Sequence, residues 1–118
     1  MDTIPEQFRN EAFRRAWLSK ELNAGLATQI RAMREHRGWT QAELGRRIGV
    51  TQERVSELED PSYGRYAIRT LRRIASVFGV GLVVRFASWS AVLTAYETWP
   101  LVPPSFEEEF GATDNEEQ

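Results

Sequence analysis

The side chains with the clearest binding chemistry in this sequence are its arginines, which make up 14 of the 15 basic residues. The forked guanidinium group of arginine suits phosphate oxygens and the edge of guanine. Residues 1–89 hold all 15 basic residues and 10 acids, a net charge of +5, whereas 90–118 holds seven acids and no base, a net charge of −7. A basic body with an acidic tail is typical of proteins that bind polyanions. A solvated surface with a disordered tail has the same charges, and a GC-rich genome also raises the arginine content.

Residues that carry out catalysis or bind metals are scarce. The chain has no cysteine, and its only histidine, His36, stands near a helix end where a positive charge is favourable. No serine neighbours a plausible base, and no glycine-rich phosphate loop occurs. We therefore expect no enzyme, no metal site and no cofactor. The polar N-terminus and the lack of an apolar run of ~20 residues predict a cytoplasmic protein without a membrane segment.

Helices must position most of the arginines. Apolar residues at helical spacing predict five helices, and glycines and capping residues place their ends. The run GLVVRFASW is rich in β-branched and aromatic residues and predicts one strand. From Pro100 the chain is acidic and interrupted by prolines, and we expect this segment to be disordered or loosely docked. The predicted helices cover 5–22, 24–37, 41–48, 52–59 and 68–78, the strand covers 82–87, and a short helix starts at Ser90.

The twenty residues 41–60 have the spacing of two short helices that cross at a steep angle. A small residue, Gly45, stands at the fifth position, where the two backbones would meet. Gly49, at the ninth position, suits a turn with a positive φ. Apolar residues at the fourth, eighth, tenth, fifteenth and eighteenth positions can face a shared core. This pattern predicts a helix-turn-helix unit, and two ordinary packed helices joined by a glycine turn are the alternative.

The stretch 26–79 resembles the Xre family of bacterial and phage regulators, the Cro and phage-repressor type. The resemblance rests on the signature RxxRGWTQxELxxxxGVTQxxVSxLE and covers a little under half of the chain. It implies a mainly α fold with a compact five-helix DNA-binding domain at 23–79, preceded by an N-terminal helix within 1–22. We expect the strand and short helix at 80–99 to serve dimerisation, and 100–118 to be an acidic, flexible tail.

The resemblance also implies roles for individual residues. The glutamine that opens the first motif helix contacts a phosphate in this family, and here it is Gln41. A late arginine of the preceding helix pairs with the glutamate that closes the recognition helix, here Arg34 and Glu59. Removing one partner of such a buried pair is strongly destabilising. The start of the second motif helix enters the major groove, which makes Thr51 a phosphate contact and gives as base contacts Gln52, Glu53, Arg54, Ser56 and Glu57.

Two features depart from the family pattern. The alanine usual at the tight crossing is Gly45 here, which fits the crossing but weakens the helix. Glu53 and Glu57 point outward on the recognition helix, where an acid repels phosphate. Such acids can accept a hydrogen bond from cytosine N4 and so specify bases. They can instead mark a face that binds a protein.

Further phosphate contacts are predicted around the recognition helix. Arg47 belongs to a rim of positive charge that can offset the two acids. The loop that follows the helix, SYGRY, carries Tyr63 and Arg65, whose side chains can donate to phosphate oxygens. The alternative for Tyr63 and for Tyr66, at the end of the same loop, is that they pack on the motif without reaching nucleic acid.

The predicted strand has no partner in the chain. Because a lone strand leaves its backbone groups unpaired, we expect it to pair antiparallel with the same strand of a second copy. The expected interface residues are Leu82, Val84, Phe86 and Trp89. The sequence thus predicts a homodimeric, sequence-specific regulator at the nucleoid, a repressor that binds near-palindromic double-stranded DNA. The alternative is an antitoxin-like or adaptor protein whose main partner is another protein.

Overall fold

The computed structural model describes residues 4–99 and 103–111, and this part of the chain is mainly helical. A short 3₁₀ helix, Glu6–Arg9, precedes six α-helices. None of the described helices is both long and apolar enough to cross a bilayer. The helices are α1 (Glu11–His36), α2 (Gln41–Ile48), α3 (Gln52–Leu58), α4 (Ile68–Phe78), α5 (Trp89–Thr98) and α6 (Phe106–Phe110).

Helix α1 is one helix of 26 residues where the sequence predicted two. The Asn10 side chain begins it by accepting a hydrogen bond from the Phe13 amide at 2.9 Å. Gly25 lies in its interior, where glycine weakens a helix by about 1 kcal/mol relative to alanine without ending it. The region 23–79 therefore holds four helices, counting the C-terminal part of α1, and not the five expected, because the chain between α3 and α4 forms turns and no further helix.

Helices α2 and α3 form a helix-turn-helix unit, as the sequence predicted. Thr40 caps α2 by accepting from the Glu43 amide at 3.0 Å. Thr51 caps α3 by accepting from the Arg54 amide at 3.1 Å. Gly49 ends α2 with a φ of 81°, a left-handed conformation that glycine adopts without strain. These three residues fix where each helix starts and how the chain turns between them.

One hydrophobic core joins α1, α2, α3 and α4. The side chains of Leu44, Val55 and Leu58 have no exposed surface, so both helices of the unit bury the positions that the spacing predicted. Trp39 and Tyr66 are partly buried at its edge. The buried core residues are Ile30, Met33, Leu44, Ile48, Val55, Leu58, Ile74 and Phe78.

A second cluster, of aromatic residues, attaches α5 to the first half of α1. The Phe8 ring is buried, with its centroid 5.4 Å from the rings of both Trp17 and Trp89. Trp17 also contacts Trp89 at 5.9 Å and Tyr96 at 5.5 Å, in both cases edge to face. Each such pair stabilises the fold by about 0.5–1.5 kcal/mol beyond the area that it buries. The aromatic cluster therefore fixes α5 to α1.

The segment between α4 and α5 is the main departure from the predicted fold. Residues 80–88 form neither helix nor strand, so the described chain contains no counterpart of the strand expected at 82–87. A strand exists only through hydrogen bonds to a neighbouring strand. Among the described residues, no backbone hydrogen bond involves 81–87.

Part of the acidic tail docks on the body. Ser105 is buried and caps α6 by accepting from the Glu108 amide at 3.4 Å. The Phe106 ring lies so close to Gly79 that a β-carbon on the glycine would be 3.0 Å from it. Glu107 lies 3.7 Å from Arg37. Residues 100–102 and 112–118 of the predicted tail lie outside the described residues.

Candidate nucleic-acid interface

Helix α3 has one buried face and one exposed polar face. Val55 and Leu58 point into the core. On the opposite side Gln52, Glu53 and Ser56 are exposed. Because nothing in the described chain packs over this polar face, α3 can lie against a large partner without losing its own core contacts.

A chain of hydrogen bonds connects α3 to the buried ion pair. Arg34 Nε donates to Glu59 Oε2 at 2.6 Å, and its Nη1 donates to the Trp39 carbonyl at 2.8 Å. Gln41 Nε2 donates to Glu59 Oε1 at 3.1 Å, and Gln52 Nε2 donates to Gln41 Oε1 at 3.2 Å. The hydrogen bond to Glu59 raises the pKa of Arg34, so the guanidinium stays charged. Gln41, a predicted phosphate contact, and Gln52, a predicted base contact, are therefore joined by a direct hydrogen bond.

Arg54 is held by two neighbours at the edge of the exposed face. Its Nη1 donates to Glu57 Oε1 at 3.2 Å and to the Tyr63 hydroxyl. Its guanidinium also lies 5.0 Å from the centroid of the Tyr63 ring, within cation–π range. The side chain of Arg54 remains about 30% exposed. Glu57 therefore has a partner, while Glu53 is exposed with no ion-pair partner in the part of the chain that is described.

The arginines around α3 are not equally free. Arg47 pairs with Glu43 at 2.8 Å and stacks over Trp39 at 4.1 Å, and Arg46 pairs with the same carboxylate. The hydrogen bond from Arg46 is the main cause of the lowered pKa of Glu43. Arg65 has no carboxylate partner within 4–99 and 103–111, and its guanidinium lies 5.9 Å from the Tyr63 ring centroid. Arg65 is therefore the freest cation among the predicted phosphate contacts.

Thr51 is exposed beside these arginines, and its hydroxyl oxygen accepts the capping bond of α3. Its hydroxyl hydrogen is left free to reach an acceptor beyond the helix.

The four predicted dimer residues divide into two groups. Val84 is 60% exposed and Phe86 fully exposed. Leu82 is half-buried beside α1 and α4. Trp89 belongs to the aromatic cluster of its own chain. Only Val84 and Phe86 therefore offer most of their side chains to a partner.

Three residues outside the predicted contacts to DNA and to a second copy also shape the site, and one of them, Tyr66, packs on the motif. Trp39 stacks on Phe78 with ring centroids 5.4 Å apart and supports Arg47. Arg73 donates to the Ile48 carbonyl at 3.0 Å, at the C-terminal end of α2. Tyr66 donates to the Leu58 carbonyl at 2.9 Å, at the C-terminal end of α3. Cations are favoured near helix C-termini, but Arg73 lies in α4 and contacts the end of α2. Its role could therefore not be predicted without knowing that α4 packs on α2.

Comparison with known families identifies the unit. A family model described as a helix-turn-helix domain matches residues 26–89, which is more than half of the 118-residue chain. The chain therefore belongs to this family of DNA-binding domains. No curated protein and no solved structure matches the chain.

Proposed function

We propose that this protein is a sequence-specific transcriptional regulator of the Xre type, and that it represses by occupying its operator. The observation that carries the proposal is the division of α3 into a face anchored in the core and a polar face with no packing partner in the described chain. In a family of DNA-binding domains, such a helix is the element that enters the major groove. In this proposal the protein binds DNA and catalyses no reaction.

In this proposal the roles around α3 follow from chemistry and exposure. Gln52 and Arg54 read base edges, since amide and guanidinium groups can pair with them bidentately. Gln41 and Arg65 contact phosphates and set the register of the domain on the duplex. The chain of hydrogen bonds from Arg34 through Glu59 keeps Gln41 in place.

We further propose a homodimer formed through residues 82–87. Backbone groups without partners are unfavourable unless water or another chain satisfies them. In the described chain this segment makes no backbone hydrogen bond and exposes Val83, Val84 and Phe86. Antiparallel pairing with a second copy would satisfy those groups and cover those side chains. Two α3 helices about 34 Å apart would then read a near-palindromic site on the nucleoid DNA.

The salt dependence of binding to random 20-base-pair duplexes tests the DNA-binding step. The logarithm of the affinity should fall with the logarithm of salt concentration, with a slope of about −0.9 for each phosphate contact. Arg65→Ala should reduce the slope by about one contact per protomer. The matched control is Arg15→Ala, which removes an exposed arginine about 28 Å along α1 from Arg34. A flat slope for the unaltered protein would contradict the proposal.

A second candidate is an antitoxin-like or adaptor protein whose main partner is another protein. Two observations favour it: Glu53 is an exposed acid on α3 without an ion-pair partner among the described residues, and Phe86 is fully exposed. A protein of this kind would bind random duplexes weakly at every salt concentration. It would instead form a stable hetero-complex that Phe86→Ser disrupts, as measured by co-purification from its own host.

A further inference from the structure

We propose that Arg54 reads a guanine in each half-site, and that Tyr63 and Glu57 are positioning residues that aim its guanidinium. The inference deepens the proposed function and rests on it. It assigns a base class to one position of the site and gives Tyr63 a second role besides a phosphate contact.

The hydrogen bonds of Arg54 leave one edge of its guanidinium available. Arginine has five N–H donors. The two on Nη1 point to Glu57 Oε1 and to the Tyr63 hydroxyl. In the described chain the Nε and Nη2 donors of Arg54 have no hydrogen-bond partner. Two parallel donors on one side of the fork match the O6 and N7 acceptors of guanine.

The loop that carries Tyr63 is itself fixed. The Tyr63 amide donates to the Asp60 carbonyl at 2.9 Å, and Asp60 accepts from the Ser62 amide and hydroxyl. Those two hydrogen bonds lower the pKa of Asp60, so its carboxylate is ionised and keeps accepting them at neutral pH. The Tyr63 ring packs edge to face on Tyr66, with centroids 6.0 Å apart. Arg54 is therefore held against a rigid support.

The Tyr63 hydroxyl can connect the phosphate backbone to the base. As the acceptor from Arg54 it retains its own hydrogen, which can be donated to a phosphate oxygen. Hydrogen bonds in a chain strengthen one another. A phosphate bound at Tyr63 therefore tightens its hold on Arg54, so backbone contact and guanine reading should be coupled.

Selection from a pool of randomised duplexes with the full-length protein tests this inference. The unaltered protein should enrich a site in which one position per half-site is guanine. Arg54→Lys keeps the charge but lacks the fork, so it should lose that preference by roughly 5- to 150-fold, a larger loss than its loss of affinity for random DNA. This range corresponds to 1–3 kcal/mol at about 1.4 kcal/mol per tenfold.

Variants of Tyr63 and Glu57 test whether these residues orient the Arg54 guanidinium or only stabilise the structure around it. Tyr63→Phe should weaken the guanine preference by about 2- to 10-fold, the effect of one hydrogen bond. Tyr66→Phe is the matched control, since it removes a hydroxyl from the same loop that does not contact Arg54. Glu57→Gln keeps an acceptor for Nη1 and should retain more of the preference than Glu57→Ala.

The outcomes distinguish this inference from the proposed function. If the unaltered protein enriches no sequence, the proposed function is wrong and the inference fails with it. If it enriches a site but Arg54→Lys keeps every base preference, the inference alone is wrong. If Tyr63→Phe weakens selected and random duplexes by the same factor, Tyr63 is only a phosphate contact and does not position Arg54.

Discussion

Replacing Gly45 with alanine should destabilise this protein, although alanine favours helices. The substitution gains about 1 kcal/mol of helix propensity. A β-carbon at this position would lie 2.7 Å from the Val50 carbonyl oxygen and 3.3 Å from the Thr51 carbonyl group. These are backbone atoms and cannot rotate away, so α3 must move relative to α2. Overpacking of this kind costs about 1–3 kcal/mol, which gives a net loss of roughly 0–2 kcal/mol.

Gly25→Ala is the matched control, because Gly25 also lies inside a helix but has open space around the position of a β-carbon. It should gain about 1 kcal/mol, which raises the melting temperature of a 118-residue chain by about 4 °C. Thermal unfolding followed by circular dichroism therefore measures the steric cost as the difference between the variants. Gly45→Ala should also weaken binding to the selected duplex, since a displaced α3 cannot keep the Gln41–Gln52 hydrogen bond at 3.2 Å. Equal stabilisation by both substitutions would refute the close crossing.

Three further predictions test the ion pair, the dimer segment and the tail. Glu59→Ala leaves the nearly buried Arg34 unpaired and should cost about 3–5 kcal/mol in urea unfolding; a loss below 1 kcal/mol would show that the pair is not important for stability. Val84→Pro removes a backbone donor, and it should turn a sedimenting dimer into a monomer, whereas a variant that remains dimeric places the interface elsewhere. The pKa of Glu107 is lowered, mainly by its own amide and by Ser105, so its stabilising effect is complete above the ordinary glutamate pKa of about 4.3 and declines as the pH falls below that value. The chemical shift of the Gly79 amide, followed by NMR as the pH is lowered, should show α6 separating from Gly79 in that range. A chemical shift that does not change would exclude an electrostatic contribution to the docking of α6.

The helix-turn-helix unit could be predicted from sequence because its signals are local. Thr40 and Thr51 cap the helices that follow them, and each acts within three residues. Gly49 adopts the positive φ that the turn requires. The predicted α2 and α4 have the bounds that the structure shows, and α3 ends one residue earlier than predicted. Capping, turn chemistry and apolar spacing all favour the same arrangement here.

The remaining features depend on contacts between distant parts of the chain. Nothing near Arg54 in the sequence indicates that Tyr63, nine residues later, would hold its guanidinium. The predicted strand follows propensity alone, whereas a strand forms only where a partner is present. For the acidic tail, composition left disorder and loose docking both open. The contact of Phe106 with Gly79, which lies far away in the sequence, decides between them.

Helix α1 is the element that connects the two halves of the proposed function. It spans about 39 Å as a single helix. Near its start, Trp17 packs on Trp89, two residues after the end of the proposed dimer segment. Near its end, Arg34 holds Glu59 at the end of α3. In the proposed dimer, the pairing of 82–87 would therefore set the distance between the two α3 helices through α1. In that dimer, α1 as one unbroken helix would fix the half-site spacing of the operator.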